Sequence, residues 1–203
     1  MQLISLNLGH ERAMRNGKAS GKTGIYKLPT NESVQVTSEG LGGDVICDME
    51  NHGGADQAIY VFSVPDYEWW AAQLGRELEP GTFGENLTIS GLLSQDFSIG
   101  DFLYVGEVLL QVTAPRIPCV TLAVRMDDPA FVKRFRHGER PGLYCRVLKE
   151  GSIRVGDEVR REPYGQETVS ALEMFRHWYE PNEDADWLRR YRAAPIAVRA
   201  EKK

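Results

Sequence analysis

Short apolar stretches separated by turn-forming residues dominate the chain up to about Glu162. This spacing is typical of β-strands joined by turns. The opening LISLNLG alternates cleanly and predicts one strand face made of Leu3, Ser5 and Asn7, with Ile4, Leu6 and Leu8 on the other face. Further strands are predicted at 24–27, 33–36, 58–62, 86–89, 102–105, 108–113, 142–148 and 158–161.

Helices are few before residue 163. Ser63 can cap one that ends at Gly75, a second can follow Pro118, and a third is predicted from Asp128 to Gly138 with Phe131 and Phe135 on its buried face. The sequence therefore predicts a mainly β protein, with a β-barrel and a few short helices.

The composition changes after Pro163. Two stretches, TVSALEMFRHWY and DADWLRRYRAA, have helical spacing and are separated by a Pro-Asn turn. We expect a β-barrel domain over 1–162 and a small helical extension over 163–203. Because the extension is too small to fold alone, we expect it to dock on the barrel or on a partner subunit.

Charge and hydropathy narrow the functional classes. The formal net charge is −5, which argues against a nucleic-acid or anionic-membrane surface. No segment is apolar for long enough to span a bilayer, and the first residues do not form a secretion signal. We therefore expect a cytoplasmic protein with three reduced cysteines and no membrane partner.

The segment VTAPRIPCVTLAVRM carries the strongest candidate for chemistry. If Pro118 takes the first helical position, Cys119 lies in the first turn, where the helix dipole and free amides favour a thiolate. Arg116 adds a nearby positive charge, and a thiolate is a good nucleophile and soft-metal ligand. The alternative, that Cys119 is a small buried apolar residue, is about equally supported by this segment alone.

The other cysteines point elsewhere. Cys145 alternates with Leu143 and Val147 on one strand face, which favours core packing. Cys47 lies in the polar loop DVICDMEN, and its sequence context indicates no mechanism.

Several further residues are candidates for binding an anion. His52, Gly53 and Gly54 precede a strand, and consecutive glycines let backbone amides point at an anion, although a plain turn also explains them. Lys22 and Thr23 could supply an ammonium and a hydroxyl to a phosphate. The remaining candidates are Asn86, which could bond a heterocycle edge, and Arg140, which is placed to face a pocket.

Well-known catalytic patterns are missing from the sequence. It has no HExxH, paired CxxC, GxSxG or GxGxxG, and Lys22-Thr23 lacks the glycines and helix of a phosphate-binding loop. Zincins, thiol oxidoreductases, serine hydrolases, Rossmann dehydrogenases and nucleotide triphosphatases are therefore disfavoured.

Seven motifs in order resemble the MOSC domain family, named after the C-terminal domain of molybdenum cofactor sulfurase. They are KTGI at 22–25, LGGD at 41–44, HGGADQAIY at 52–60, GTFGENLT at 81–88, IGD at 99–101, PRIPC at 115–119 and RPGLY at 140–144. Their spacing most resembles the YiiM-like stand-alone branch, which carries a helical tail. Gln57 is a departure, because related sequences often have a basic residue there.

The resemblance implies a barrel whose cleft holds the molybdenum cofactor, a molybdenum dithiolene on a phosphorylated pterin. It implies that Cys119 is the molybdenum ligand, and the cofactor would be held by Lys22, Thr23, His52, Gly53, Gly54, Asn86, Arg116 and Arg140. The sequence has no evident flavin or iron-sulfur site of its own, and pyridoxal phosphate is not expected.

Similar proteins of this branch reduce N-hydroxylated compounds such as hydroxylaminopurines, so the resemblance implies a small N-hydroxylated substrate and a separate electron-donor reductase. A non-catalytic carrier of cofactor or sulfur is the alternative. A third alternative is a cofactor-free thiol protein in which His52 or His137 is the base for Cys119. A homodimer is left open by the sequence.

Overall fold

Residues 1–14, 21–48 and 52–197 are described in a computed structural model of the chain. The strands are β1 Leu3–Gly9, β2 Arg12–Ala13, β3 Lys22–Thr23, β4 Lys27–Thr30, β5 Val34–Thr37, β6 Gly40–Leu41, β7 Ile59–Ser63, β8 Leu87–Ile89, β9 Phe102–Val105, β10 Val108–Pro115, β11 Leu143–Lys149, β12 Gly151–Ile153 and β13 Val159–Glu162. The helices are α1 Val64–Leu74, α2 Val120–Met126, α3 Phe131–Gly138, α4 Ala171–Tyr179 and α5 Ala185–Ala193.

An eight-stranded sheet organises the fold. Its strand order is β13-β9-β10-β11-β7-β8-β1-β4, and all neighbours are antiparallel except β7 and β8. A three-stranded sheet, β12-β5-β6, and the β2-β3 hairpin complete the β-structure of the described chain. The predicted mainly β architecture with a few short helices is therefore confirmed in outline.

The predicted closed barrel is not seen as a continuous ladder in the described residues. The long sheet has β13 and β4 at its two edges. The start of β1 nevertheless meets the start of β13, where Gln2 bridges Glu158 and the Leu3 amide donates to the Asp157 carbonyl at 2.9 Å. The sheet curls so that these strand ends touch.

Two apolar clusters fill the interior. One lies on the inner face of the sheets and contains Leu6, Val61 and Leu110, all buried. The other is aromatic and packs α1 and α3 against the loop after α1 through Trp70, Phe83 and Phe135. The predicted buried positions Phe131 and Phe135 are confirmed, since both are fully buried.

The helical tail docks on the sheet and shares its core. Met174 of α4 and Trp187 of α5 belong to the same apolar cluster as the strands, and the Ala197 amide donates to the Thr113 carbonyl at 3.2 Å. The predicted docking of the tail on the β-structure is therefore confirmed.

Some predicted boundaries were wrong. The segment 24–27 is not one strand, because β3 ends at Thr23 and β4 begins at Lys27. Gly24 explains the interruption: a Cβ there would lie 1.8 Å from the Val45 carbonyl oxygen, so the chain passes close to another backbone and pairs with no strand.

Helix α1 matches its prediction closely. The Ser63 hydroxyl accepts from the Asp66 amide at 3.1 Å, and Gly75 ends the helix in the left-handed conformation with φ 64°. At 11 residues, α1 is the longest helix of the described part, and none there is both long and apolar enough to cross a membrane.

Candidate functional site

One cleft collects most of the residues that the sequence singled out. Its empty volume, counted out to the open mouth, is about 680 Å³. Its walls come from the β2-β3 hairpin, the 45–48 loop, the 52–57 turn and the segment that joins β10 to α2. The predicted residues that line it are Lys22, Thr23, His52, Gly53, Asn86, Arg116 and Cys119.

Cys119 stands where β10 has ended and α2 begins. It is the N-cap of α2, with extended φ/ψ of −126° and 171°, so the prediction that Pro118 is the first helical residue was wrong by two positions. The Cys119 carbonyl accepts from the Leu122 amide at 3.0 Å, while the thiol caps no helix amide. The half-buried side chain thus lines the cleft and does not cap the helix.

The surroundings of Cys119 favour its thiolate. Burial raises the pKa of the thiol, but a hydrogen bond from His52 and the positive charge of Arg116 outweigh burial, and the pKa falls from 9.0 to about 5. At neutral pH the sulfur is therefore ionised and able to bind a soft metal.

Arg116 is a buried cation in the floor of the cleft. Its side chain donates to the Phe83 carbonyl, and the guanidinium carbon lies 4.9 Å from the centre of the Tyr60 ring. Its Nε is buried and has no hydrogen-bond partner among the described residues. The residue is held in place by backbone and aromatic contacts, and its charge stays beside the thiol.

The two consecutive glycines, Gly53 and Gly54, differ in their position relative to the cleft. Gly53, with φ 78°, lines the cleft, whereas Gly54, with φ 84°, precedes the short turn Ala55–Gln57 and does not line it. Both positive φ values explain why glycine stands at these positions. Only the first of the two is placed to offer its backbone to a ligand.

Lys22 and Thr23 form the opposite wall. Lys22 is exposed and pairs with Glu11 at 2.7 Å, which raises the pKa of the ammonium. The Thr23 hydroxyl accepts from the Ile25 amide at 3.1 Å. An anion that enters the cleft would meet the Lys22 charge at its edge and the Arg116 charge at its floor.

A buried ion pair in the wall of the cleft, which Lys27 lines, was not predicted from the sequence. The Lys27 ammonium pairs with Asp44, and burial is the main cause that lowers the pKa of Lys27. Asp44 also accepts from the Gly9 amide at 2.6 Å and from the Asn86 side chain at 2.9 Å. The LGGD motif contains Asp44, but nothing in the sequence indicated its partner.

Asn86 lines the cleft, and its side chain forms hydrogen bonds with other residues of the protein. Its amide nitrogen donates to Asp44, and its oxygen accepts from the Tyr60 amide at 3.1 Å. These bonds join β7 to the 41–44 loop through Asn86. A contact of Asn86 with a heterocycle stays a prediction.

Arg140 is placed outside this cleft. Its guanidinium bonds the buried Asp66 carboxylate at 2.7 Å and lies over the Trp69 ring. Because Asp66 sits in the first turn of α1, this arginine neutralises a buried charge in the helical layer. The expectation that Arg140 faces the ligand pocket is thereby corrected.

The cleft contains further residues that the sequence reasoning did not select. Tyr60, Tyr144, Cys47 and Gln57 line it. Burial raises the pKa of the Cys47 thiol, whereas the pKa of Cys119 is lowered because His52 and Arg116 outweigh burial. His137 does not line the cleft and is exposed on α3, so of the two histidines considered as partners for Cys119 only His52 contacts it.

The donor set fits a metal that brings most of its own ligands. Within the described ranges, no group of three His, Cys, Asp or Glu side chains could hold a bare metal ion. A single ionised sulfur next to cations suits a soft metal already bound by sulfur on an anionic organic ligand, such as the molybdenum cofactor. Cys145 offers no second ligand, since it is fully buried in the core.

Comparison with known proteins identifies the family of the chain. The family model for the MOSC domain matches residues 48–160, which include His52, Arg116 and Cys119. The protein YflK of Bacillus subtilis strain 168 is 35% identical over 168 residues, which cover 83% of this chain and 76% of that protein. A Gibberella moniliformis protein named as a reductase is 32% identical over 164 residues, 77% of this chain but only 29% of its own length.

The fold has a solved counterpart. The crystal structure of YiiM from Geobacillus stearothermophilus superposes with a TM-score of 0.81 and 27% sequence identity, covering 99% of this chain and 95% of that one. With the family match and these relatives, the chain belongs to the MOSC domain family, in its YiiM-like branch, a family associated with the molybdenum cofactor.

Proposed function

We propose that this protein binds the molybdenum cofactor and reduces N-hydroxylated compounds, such as hydroxylaminopurines, with electrons from a separate reductase. The observation that carries the proposal is the Cys119 thiol, which lines an open cleft beside Arg116 and His52 and has a pKa lowered to about 5. A cysteine that merely filled the core would resemble Cys145, which is fully buried.

Three groups of the chain would hold the cofactor. Cys119 would supply a sulfur ligand to molybdenum, Arg116 and Lys22 would neutralise the anionic parts of the pterin, and the backbone at Gly53 would approach it closely. When bound, the cofactor supplies a metal that exchanges electrons in pairs with an N–O bond.

The residues of the chain have defined tasks in this proposal. Arg116 and His52 keep the Cys119 sulfur ionised, and the Lys27–Asp44 pair joins the start of β4 to the 41–44 loop in the wall of the cleft. Reduction of a hydroxylamine, R–NHOH, consumes two electrons and two protons and releases R–NH2 and water. The electrons are assigned to an external donor, and support for a reductase comes from the fungal relative of that name.

The test is reduction by purified holo-protein. The chain is expressed in a host that makes the cofactor, its molybdenum content is measured, and it is given reduced methyl viologen with hydroxylamine or 6-hydroxylaminopurine. We expect two molecules of reduced viologen to be oxidised for each amine formed, because each supplies one electron. Cys119→Ser should abolish turnover, because a hydroxyl is a harder and far less acidic donor than a thiol.

Cys47→Ser is the matched control, since Cys47 lines the same cleft and burial raises the pKa of its thiol. It should keep its molybdenum and its turnover. Fully metallated protein that reduces no member of a broad panel of N-hydroxylated compounds would contradict the proposal. Transfer of the cofactor to an apo-molybdoenzyme without any turnover would instead identify the protein as a carrier.

A further inference from the structure

Two arginines stack on one tyrosine next to the cleft. The guanidinium carbon of Arg12 lies 4.6 Å from the centre of the Tyr26 ring, and that of Arg125 lies 4.8 Å from the same centre. Arg12 is exposed, whereas Tyr26 and Arg125 are half-buried. We call these three residues the arginine stack.

Each member of the arginine stack is a neighbour, by strand pairing, chain order or helical spacing, of a residue that lines the cleft. Arg12 of β2 pairs directly with Thr23 of β3. Tyr26 follows Ile25 in the chain, and Arg125 lies one helical turn after Thr121 on the same face of α2. None of the three members lines the cleft itself, but Thr23, Ile25 and Thr121 do. We infer from these neighbours that the stack lies beside the cleft, at its rim.

The charges of the arginine stack are not neutralised by the described residues. Most arginines there pair with a carboxylate, as Arg161 does with Asp101 and Arg176 with Glu139. Those without a carboxylate partner in the described ranges are Arg12, Arg76, Arg116, Arg125 and Arg192. Three of these five lie in or beside the cleft of a chain whose net charge is −5.

Within the described ranges, the arginine stack has a hydrogen-bond donor without a partner. The Nε of Arg125 is buried and has no hydrogen-bond partner in the described part of the chain. Tyr26 fixes both guanidinium groups through their faces, so their N–H edges remain available for hydrogen bonds. Two like charges on one ring repel each other unless an anion lies between or beside them.

We propose that the arginine stack binds the phosphate of a phosphorylated substrate, so that the protein prefers N-hydroxylated nucleotides to the corresponding nucleosides and bases. The proposal rests on the function proposed above and names its substrate class. Guanidinium groups bind phosphate through paired N–H donors, and the rim position leaves the inner cleft to the base and the cofactor.

Binding of non-reducible ligands tests the proposal without turnover. Adenosine 5′-monophosphate and adenosine are titrated calorimetrically into the holo-protein. We expect the nucleotide to bind about tenfold or more tightly, the value of one or two hydrogen bonds between charged groups. The double variant R12Q/R125Q should lose this advantage, and its affinity for adenosine should stay the same.

Arg76→Gln is the matched control, because Arg76 is also exposed and has no carboxylate partner among the described residues, but it follows α1, none of whose residues lines the cleft. It should bind both ligands as the wild type does. The milder double variant R12K/R125K keeps the charges but not the paired donors, and should retain part of the preference. Its thermal unfolding, like that of R12Q/R125Q, should match the wild type, since both arginines act at the rim.

Two results would overturn the proposal. One is equal affinity of the wild type for nucleotide and nucleoside, or an unchanged preference in R12Q/R125Q. The other is a loss of pterin from purified R12Q/R125Q, which would assign the stack to the phosphate of the cofactor. A protein that binds the nucleotide tightly through the stack yet reduces nothing would contradict the proposed function and leave the phosphate site standing.

Discussion

The side chain of His52 is hydrogen-bonded to the thiol of Cys119, although 66 residues separate them in the chain. His52 belongs to the turn before β7, and Cys119 caps α2 after β10, so the contact joins two motifs that sheet topology brings together. This hydrogen bond helps to keep Cys119, the cysteine of the PRIPC motif, ionised in the cleft.

Alkylation of cofactor-free protein should reveal that ionisation. Cys119 should react with iodoacetamide with a midpoint near pH 5, because His52 and Arg116 stabilise the thiolate. Cys47 should react only at alkaline pH, since burial raises the pKa of its thiol. Peptide mass spectrometry over a pH series separates the two, and a Cys119 midpoint near 9 would refute the described surroundings.

Arg116→Gln should move that midpoint upward. Removing a positive charge close to a thiolate raises its pKa by about one pH unit or more. The same alkylation series measures the shift, and circular dichroism checks that the fold survives loss of the contact with the Phe83 carbonyl. A folded Arg116→Gln protein with an unchanged midpoint would show that this charge does not reach Cys119.

Lys27→Met should destabilise the protein by about 3–5 kcal/mol, because it leaves the Asp44 carboxylate buried without its cation. Urea unfolding followed by tryptophan fluorescence measures the change. Lys22→Met is the control: Lys22 pairs with Glu11 at the surface, and no measurable loss is expected. Equal midpoints for the two variants would contradict the assignment of Lys27 to a structural ion pair.

Glu85 should make stability depend on pH. Burial raises its pKa, although Tyr67, Gly81 and Thr88 donate hydrogen bonds to its carboxylate. The stabilisation from the protonated form is therefore present below the pKa of the unfolded chain, about 4.3, and is lost as pH rises through the higher folded pKa.

Glu85→Gln removes this contribution. The free energy of unfolding of the wild type, relative to Glu85→Gln, should therefore fall as pH rises from about 4 toward 8. Urea titrations of both proteins over that range provide the comparison. A constant difference between them would mean that Glu85 titrates in the folded protein as it does in the unfolded chain.

Arg140→Ala should separate stability from cofactor binding. It leaves Asp66 buried at the start of α1 without its cation, so the protein should unfold at lower urea concentration. The molybdenum content of the folded fraction should stay at the wild-type level, because Arg140 lies outside the cleft. A lower molybdenum content in the folded Arg140→Ala protein than in the wild type would contradict this and assign Arg140 to the binding site.

The parts of the site that depend on residues close together in sequence could be predicted. Cys119 and Arg116 lie three residues apart, and the turn between β10 and α2 places both in the cleft without any distant contact. Likewise, the α1 boundaries follow from Ser63 and Gly75, whose preferences act within one helical turn.

Pairings between distant segments could not be predicted. Arg140 forms a hydrogen bond with Asp66, 74 residues before it in the chain. Lys27 pairs with Asp44, and the close approach of Gly24 to the Val45 carbonyl, which interrupts the predicted strand before Lys27, was not visible in the sequence either. A charged residue in sequence shows no partner, so whether it faces a ligand or another side chain depends on the topology. The strand β12 and the open ladder of the eight-stranded sheet depend on tertiary pairing in the same way.

X-ray absorption at the molybdenum edge tests most directly whether the Cys119 sulfur binds the metal. Holo-protein should show one more sulfur neighbour of molybdenum than Cys119→Ser loaded in the same host, while Cys47→Ser should match the wild type. An equal number of sulfur neighbours in the wild type and Cys119→Ser would contradict the account.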